Sequence, residues 1–277
     1  MKLKSLLLLF ALALSACGSR QASKQNSSDE PRPISFDGAL VQRASDQVAH
    51  GERLSRVLGC RGCHGKELRG ELWDDDPKEY GIMWASNLSR AVPAMSDAQF
   101  LALMRTGEHP VREKMWVMPS ELFQHLSAPD MTALLAYLRT LKPAGKVSPP
   151  PSPGPRALRE IASGKVRPAS TLVREQRAVA SVDLGPQHAL GRYMTSLTCA
   201  ECHGATLDGV KGDTPDLVTA GAYSRAEFET LMTKGIPNGP RKLDLMALVA
   251  QGRFSRMTVA ERDALYAYLK ARAERPQ

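Results

Sequence analysis

Hydrophobic residues recur at helical spacing in two short segments that lie 128 residues apart. Ser96 precedes apolar residues at positions 100, 103 and 104, and Ser224 precedes apolar residues at positions 228, 231 and 232. Spacings of three and four residues place such side chains on one face of an α-helix. A serine followed three residues later by Gln or Glu is typical of a capping box and predicts a helix start. Gly107 and Gly235 stand where these helices are expected to end.

Weaker signals predict a first and a last helix around each of these segments. Residues 51–58 and 191–197 are weakly periodic, and Ser127 and Thr258 open segments that lead into Ala-Tyr-Leu at 136–138 and 267–269. The paired methionines at 104 and 232 lie on the apolar stripes, so we expect them in the core. The pattern therefore predicts a small, three-helix fold in each half of the chain.

The pattern C-x-x-C-H occurs twice, at residues 60–64 and 199–203. This is the attachment spacing of c-type haem. Cys60, Cys63, Cys199 and Cys202 are expected to form thioethers with the haem vinyl groups, and His64 and His203 are the expected proximal iron ligands. Zinc binding and a redox dithiol are the alternatives for such pairs.

The amino terminus has the pattern of an export signal. Lys2 and Lys4 precede an apolar run from Leu6 to Leu14, which is too short to span a bilayer. The following residues, Leu-Ser-Ala-Cys at 14–17, resemble a bacterial lipobox, which implies a signal peptide at 1–16 and lipidation of Cys17. The alternative is an ordinary signal peptide with an incidental cysteine. With Cys17 acylated, each of the five cysteines of the chain has a use, and no disulfide is expected.

The two halves of the chain read as an internal duplication. The residues after each C-x-x-C-H align at an offset of 139, and downstream positions, Met118 and Met246 among them, align at 128. We expect a flexible tether at 17–37, domains at 38–145 and 183–277, and a Pro-rich basic linker at 146–182. The first domain carries an insertion with Trp73 and the acidic run 74–76, expected to be a surface loop. Within the linker, a short helix is expected at 157–163.

The order of helix, C-x-x-C-H, loop, methionine and terminal helix with Ala-Tyr-Leu resembles class I cytochrome c domains, over residues 45–142 and 185–272. The similarity is closest to diheme cytochromes and to the cytochrome subunits of periplasmic alcohol and gluconate dehydrogenases. It implies an all-α chain of two tandem domains, each wrapped around one covalently bound haem c.

The resemblance also implies a methionine as the sixth iron ligand, in the loop before the last helix. Met118 and Met246 are at equivalent positions there, and Pro119 favours an extended backbone at Met118. Met115 and His109 are the competitors in the first domain, and Met257 in the second. Ligation by one histidine and one methionine leaves the haem iron without an open coordination position, which favours electron transfer over small-molecule chemistry.

The formal net charge of +8 lies mostly in the linker, where seven basic residues face two acidic ones. These cations could pair with haem propionates, an acidic partner or anionic lipid, or could simply be solvated. We find no hydrolytic constellation, phosphate-binding loop or flavin fingerprint, and no sign of nucleic-acid recognition.

The sequence thus predicts an exported, lipid-anchored carrier of single electrons, on the periplasmic side of a bacterial membrane. Its expected partners are a redox protein donor and acceptor, such as a dehydrogenase or a terminal oxidase, and the membrane through Cys17. Two alternatives stay open. The chain could be the electron-accepting subunit of a dehydrogenase complex, or a diheme peroxidase with one open iron site.

Overall fold

The computed structural model describes residues 33–275, so the predicted signal peptide, Cys17 and most of the predicted tether lie outside the described residues. In the first half the helices, in chain order, are α1 (Ala44–Val57), α2 (Cys60–His64), α3 (Leu88–Ala91), α4 (Asp97–Thr106), α5 (Ser120–Phe123) and α6 (Ala128–Arg139). The segment between the two halves, predicted above as a linker at 146–182 and called the connector below, contains α7 (Pro155–Ala162) and α8 (Ala169–Gln176). In the second half they are α9 (Ala189–Thr198), α10 (Ala200–His203), α11 (Arg225–Lys234), α12 (Asp244–Gly252) and α13 (Val259–Glu274).

The predicted starts and ends of the middle helix of each half are confirmed. Ser96 and Ser224 each accept a hydrogen bond from the third residue of their helix, and the side chain of that residue bonds back, which completes both capping boxes. Gly107 and Gly235 end these helices at φ +71° and +70°, a left-handed conformation that glycine adopts without strain. Met104 and Met232 are each 2% exposed, as expected for core residues.

In each half, the first and last helices cross at a glycine. A Cβ atom on Gly51 of α1 would lie 1.9 Å from the carbonyl oxygen of Ala133 on α6. A Cβ atom on Gly191 of α9 would lie 2.3 Å from the carbonyl oxygen of Ala264 on α13. The missing side chain therefore lets two helix backbones touch in both halves.

The expectation of an all-α chain is wrong at the insertion of the first half, which is a β-hairpin rather than a surface loop. Strand β1 (Arg69–Asp76) pairs antiparallel with β2 (Gly81–Asn87), and β3 (Ser152–Pro153) adds to the free edge of β2. Alternate residues of β2 are buried at its start, and Met83 is 6% exposed. The carboxylates of Asp74 and Asp76 accept backbone N–H groups in the turn, so the acidic run shapes the hairpin end.

The connector folds back onto the first half. The helix expected at 157–163 is observed as α7, and α8 was not predicted. Helix α8 buries Ala169 and Val173, which are 1% and 0% exposed, and packs against α4 and α5. Several connector cations form ion pairs with nearby carboxylates, as Arg156 does with Glu79 and Lys165 with Glu160.

Two buried carboxylates join the halves in a reciprocal pattern. Asp130, the third residue of α6, accepts a hydrogen bond from the hydroxyl group of Tyr193 on α9, at 2.7 Å. Glu261, the third residue of α13, accepts two hydrogen bonds from the guanidinium of Arg53 on α1, at 2.7 and 2.9 Å. Arg53 and Tyr193 each lie two residues after the crossing glycine of their own half. Both acids are 0% exposed, so each half supplies a hydrogen-bond donor to a buried carboxylate of the other.

Candidate functional site: two C-x-x-C-H segments

Each C-x-x-C-H segment forms a short helical turn directly after the first helix of its half. In the second half, α9 continues through Cys199 into α10. In the first half, Gly59 adds one residue between α1 and α2 at φ +80°. The first helix is itself fixed by its glycine crossing with the last helix, so both segments start from a rigid support.

His64 and His203 are oriented in the same way. Nδ1 of His64 lies 2.8 Å from the carbonyl oxygen of Ser86, and Nδ1 of His203 lies 2.8 Å from the carbonyl oxygen of Pro215. A carbonyl only accepts, so Nδ1 must carry the proton in both rings. The lone pair of a neutral ring is then on Nε2, which is the arrangement that a metal-ligating histidine requires. Burial also lowers the pKa of His64, which favours the neutral ring.

The loop after each histidine positions the segment whose carbonyl group accepts from Nδ1 of that histidine. Leu68 and Leu207, both 0% exposed, adopt left-handed φ values of +57° and +66°. Their carbonyl groups accept from the backbone N–H of Leu88 and Leu217 at 2.8 and 3.0 Å. A left-handed leucine is strained, and its presence at matching positions indicates a constraint that both loops share.

The acceptor carbonyls come from different structures in the two halves. Ser86 belongs to strand β2 of the hairpin, whereas Pro215 follows a short bridge between Val210 and Thr214. The insertion of the first half therefore supplies a carbonyl that a plain loop supplies in the second. Sequence analysis missed both acceptors, because a backbone carbonyl carries no residue signature. The repeated leucine after each motif was the only available signal.

The four thiols of the described residues are free and mostly neutral. Burial raises the pKa of Cys60 and of Cys199 to about 11, and it raises the pKa of Cys63 and Cys202 as well. Zinc binds the thiolate, which these environments disfavour. Moreover, no group of three or more His, Cys, Asp or Glu residues suited to a metal ion occurs between residues 33 and 275. The free thiols and the oriented histidines fit covalent haem better than zinc.

The two methionines expected as sixth ligands lie in different local structures. Met118 is half-buried in an irregular segment before α5, between Val117 at φ +67° and Pro119. Met246 is also half-buried, but it lies in the first turn of α12, so its placement in a loop was wrong. The apolar sequence from Leu245 to Ala250 continues as a helix because no Gly or Pro interrupts it. Both side chains pack against the apolar core.

The alternative candidates for the sixth iron ligand lie in different local environments. Nδ1 of His109 accepts the backbone N–H groups of Val111 and Arg112, each at 3.2 Å. The neutral ring then carries its proton on Nε2, where a ligand needs a lone pair. Met257 is 3% exposed in the core, and Met115 is half-buried beside α8, where its carbonyl accepts from Ala169.

Comparison with known families agrees with this geometry in the second half. Residues 189–273 match the family model described as Cytochrome c. This part of the chain is similar to a cytochrome c domain. The match runs from the first turn of α9 to the end of α13 and includes the second C-x-x-C-H segment. No curated protein matches the chain.

This similarity implies covalently bound haem c and redox proteins as partners, and it supports a role as a haem-based electron carrier. His203, with its proton on Nδ1, and the free thiols of Cys199 and Cys202 suit that group. Among the helices of residues 33–275, none has the length and hydropathy needed to cross a membrane.

Proposed function

We propose that the chain is a diheme cytochrome c that carries single electrons between redox proteins. The observation that carries the proposal is the matched setting of His64 and His203, each following two free thiols and each bonded through Nδ1 to a carbonyl at 2.8 Å. The domain match accounts for the second setting, and the first is its geometric equivalent. We therefore assign one haem c to residues 38–145 and one to residues 183–277.

In each half the residues have distinct tasks. The thiols of Cys60 and Cys63, and those of Cys199 and Cys202, anchor the haem as thioethers, and the histidine supplies Nε2 to the iron. Haem held there would supply the redox chemistry, which is the gain and loss of one electron at its iron. We assign Met118 and Met246 as the sixth ligands, since both are half-buried at aligned positions. A closed, six-coordinate iron favours a carrier over a diheme peroxidase.

The haem count tests this proposal. The chain is matured in a host that attaches c-type haem, and intact mass and a denaturing haem stain are measured. Wild type should carry two haems and no disulfide. Cys60→Ser/Cys63→Ser and Cys199→Ser/Cys202→Ser should each retain one. A wild-type protein with one haem, or with a disulfide between any of these cysteines, would contradict the proposal.

We also propose that the mature carrier begins at Cys17 and is anchored by lipid on the periplasmic side of a bacterial membrane. The support is the residue pattern at 14–17 after the apolar run. Fatty-acid labelling and membrane fractionation should detect a lipidated wild type. Cys17→Ser should lose the label and keep both haem stains. An unlabelled wild-type protein would show that Cys17 is incidental.

A further inference from the structure

Arg253 connects the two C-x-x-C-H segments. It lies directly after α12, and its Nε donates to the carbonyl oxygen of Val57 at 3.1 Å, at the end of α1 and just before the first motif. Its Nη1 donates to the carboxylate of Glu201 at 2.7 Å, between the two cysteines of the second motif. A single side chain therefore bonds to both attachment regions.

The chain leaves room for this guanidinium at Gly59, the residue before Cys60. A Cβ atom there would lie 2.7 Å from Cζ of Arg253. The extra glycine of the first half thus provides space for an arginine of the second half. The Arg253 side chain is only 15% exposed, and its Nη2 is buried without a hydrogen-bond partner among residues 33–275. The guanidinium is held in place by its bonds to Val57 and Glu201.

The ion pair of Arg253 and Glu201 lies beside both attachment motifs. Glu201 stands between Cys199 and Cys202 of the second motif, and Arg253 is bonded to Val57, three residues before Cys60, and packs against Gly59. The two attachment sites therefore share one local charge environment.

We propose that Arg253 is a positioning residue common to both haem sites: it fixes the two attachment motifs against each other, and its charge raises the reduction potentials of both haems together. The proposal rests on the proposed diheme function. Its physical basis is that a ferric haem carries one more positive charge than a ferrous haem. A nearby, largely buried cation therefore disfavours the ferric form at every iron within reach.

Charge substitutions with opposite expected signs test the proposal. Both midpoint potentials are measured by spectroelectrochemical titration of the full, haem-loaded protein. Arg253→Gln should lower both potentials, and Glu201→Gln, which removes the opposing charge, should raise both. Arg253→Lys should keep both potentials near wild type, because it keeps the cation. It should lower the denaturation midpoint, because it loses the bridge.

Arg256→Gln is the matched control, since it removes the same charge three residues away at an exposed position. Its effect should be at least about threefold smaller than that of Arg253→Gln, because solvent and salt screen an exposed charge. If the Arg253→Gln protein does not incorporate haem, the potentials of Glu201→Gln test the proposal instead. The Glu201 side chain is 36% exposed and is therefore easily replaced. Two stained haems with a shift at only one of them, or at neither, would overturn the shared role. A single stained haem would instead overturn the diheme assignment.

Discussion

Replacing Gly51 by alanine should force the first and last helices of the first half apart. The added Cβ would lie 1.9 Å from the oxygen of Ala133 and 2.8 Å from Cβ of Tyr137. Ordinary contact needs about 3.5 Å, so α1 and α6 would have to separate by about 1.5 Å. Overpacking of this kind costs up to about 3 kcal/mol, and the higher helix propensity of alanine returns about 1 kcal/mol. We expect a net loss of about 2 kcal/mol in the free energy of unfolding.

Gly252→Ala is the matched control, because Gly252 is also helical and its added Cβ would meet no atom within 4 Å. Propensity alone should then stabilise that variant by up to about 1 kcal/mol. The two variants should differ by about 3 kcal/mol in urea unfolding followed by circular dichroism at 222 nm. Gly191→Ala should behave like Gly51→Ala. Equal stability of the Gly51→Ala and Gly252→Ala variants would refute the inference that the close backbone contact, rather than helix propensity, requires glycine at position 51.

Three further outcomes are expected. Met118→Ala and Met246→Ala should each remove about half of the far-red charge-transfer band of the ferric protein and lower one haem potential, because thioether ligation favours the ferrous state. Tyr193→Phe should cost about 1.5–3 kcal/mol in urea unfolding, because it removes a hydrogen bond to the buried carboxylate of Asp130. The hydrogen bond from Arg262 holds the pKa of Glu229 below its ordinary value of 4.5, so Glu229→Gln should lose stability above that pH and match wild type in strong acid.

Each of these outcomes has a control. Met104→Ala should destabilise the fold by about 2–5 kcal/mol and leave the band intact, because that side chain is core. Tyr80→Phe removes only two long contacts, at 3.3 Å each, from its hydroxyl to the carboxylate of Glu160, and it should be nearly neutral. Glu113→Gln, at a carboxylate that is 88% exposed, should leave the acid dependence unchanged. If the band survives Met118→Ala and is altered by Met115→Ala, the ligand assignment moves to Met115.

Local signals in the sequence were sufficient for the elements that depend on neighbouring residues. The capping boxes at Ser96 and Ser224 and the stops at Gly107 and Gly235 were predicted and observed, because a cap is formed within four residues of chain. The haem spacing is equally local. It places two thiols and an imidazole on one short turn, and this determined the expected cofactor before any fold was known.

Contacts between distant segments were decided only by the tertiary structure. The carbonyls of Ser86 and Pro215 orient the histidines, yet any residue type could supply a carbonyl. The hairpin forms because β2 finds a partner on each side, one of them in the connector. Arg253 lies 52 residues from Glu201 and 196 from Val57, and it was one more cation until the fold placed it between two motifs. The sequence by itself determined which chemistry each half could carry, whereas packing determined that both halves share one charged residue.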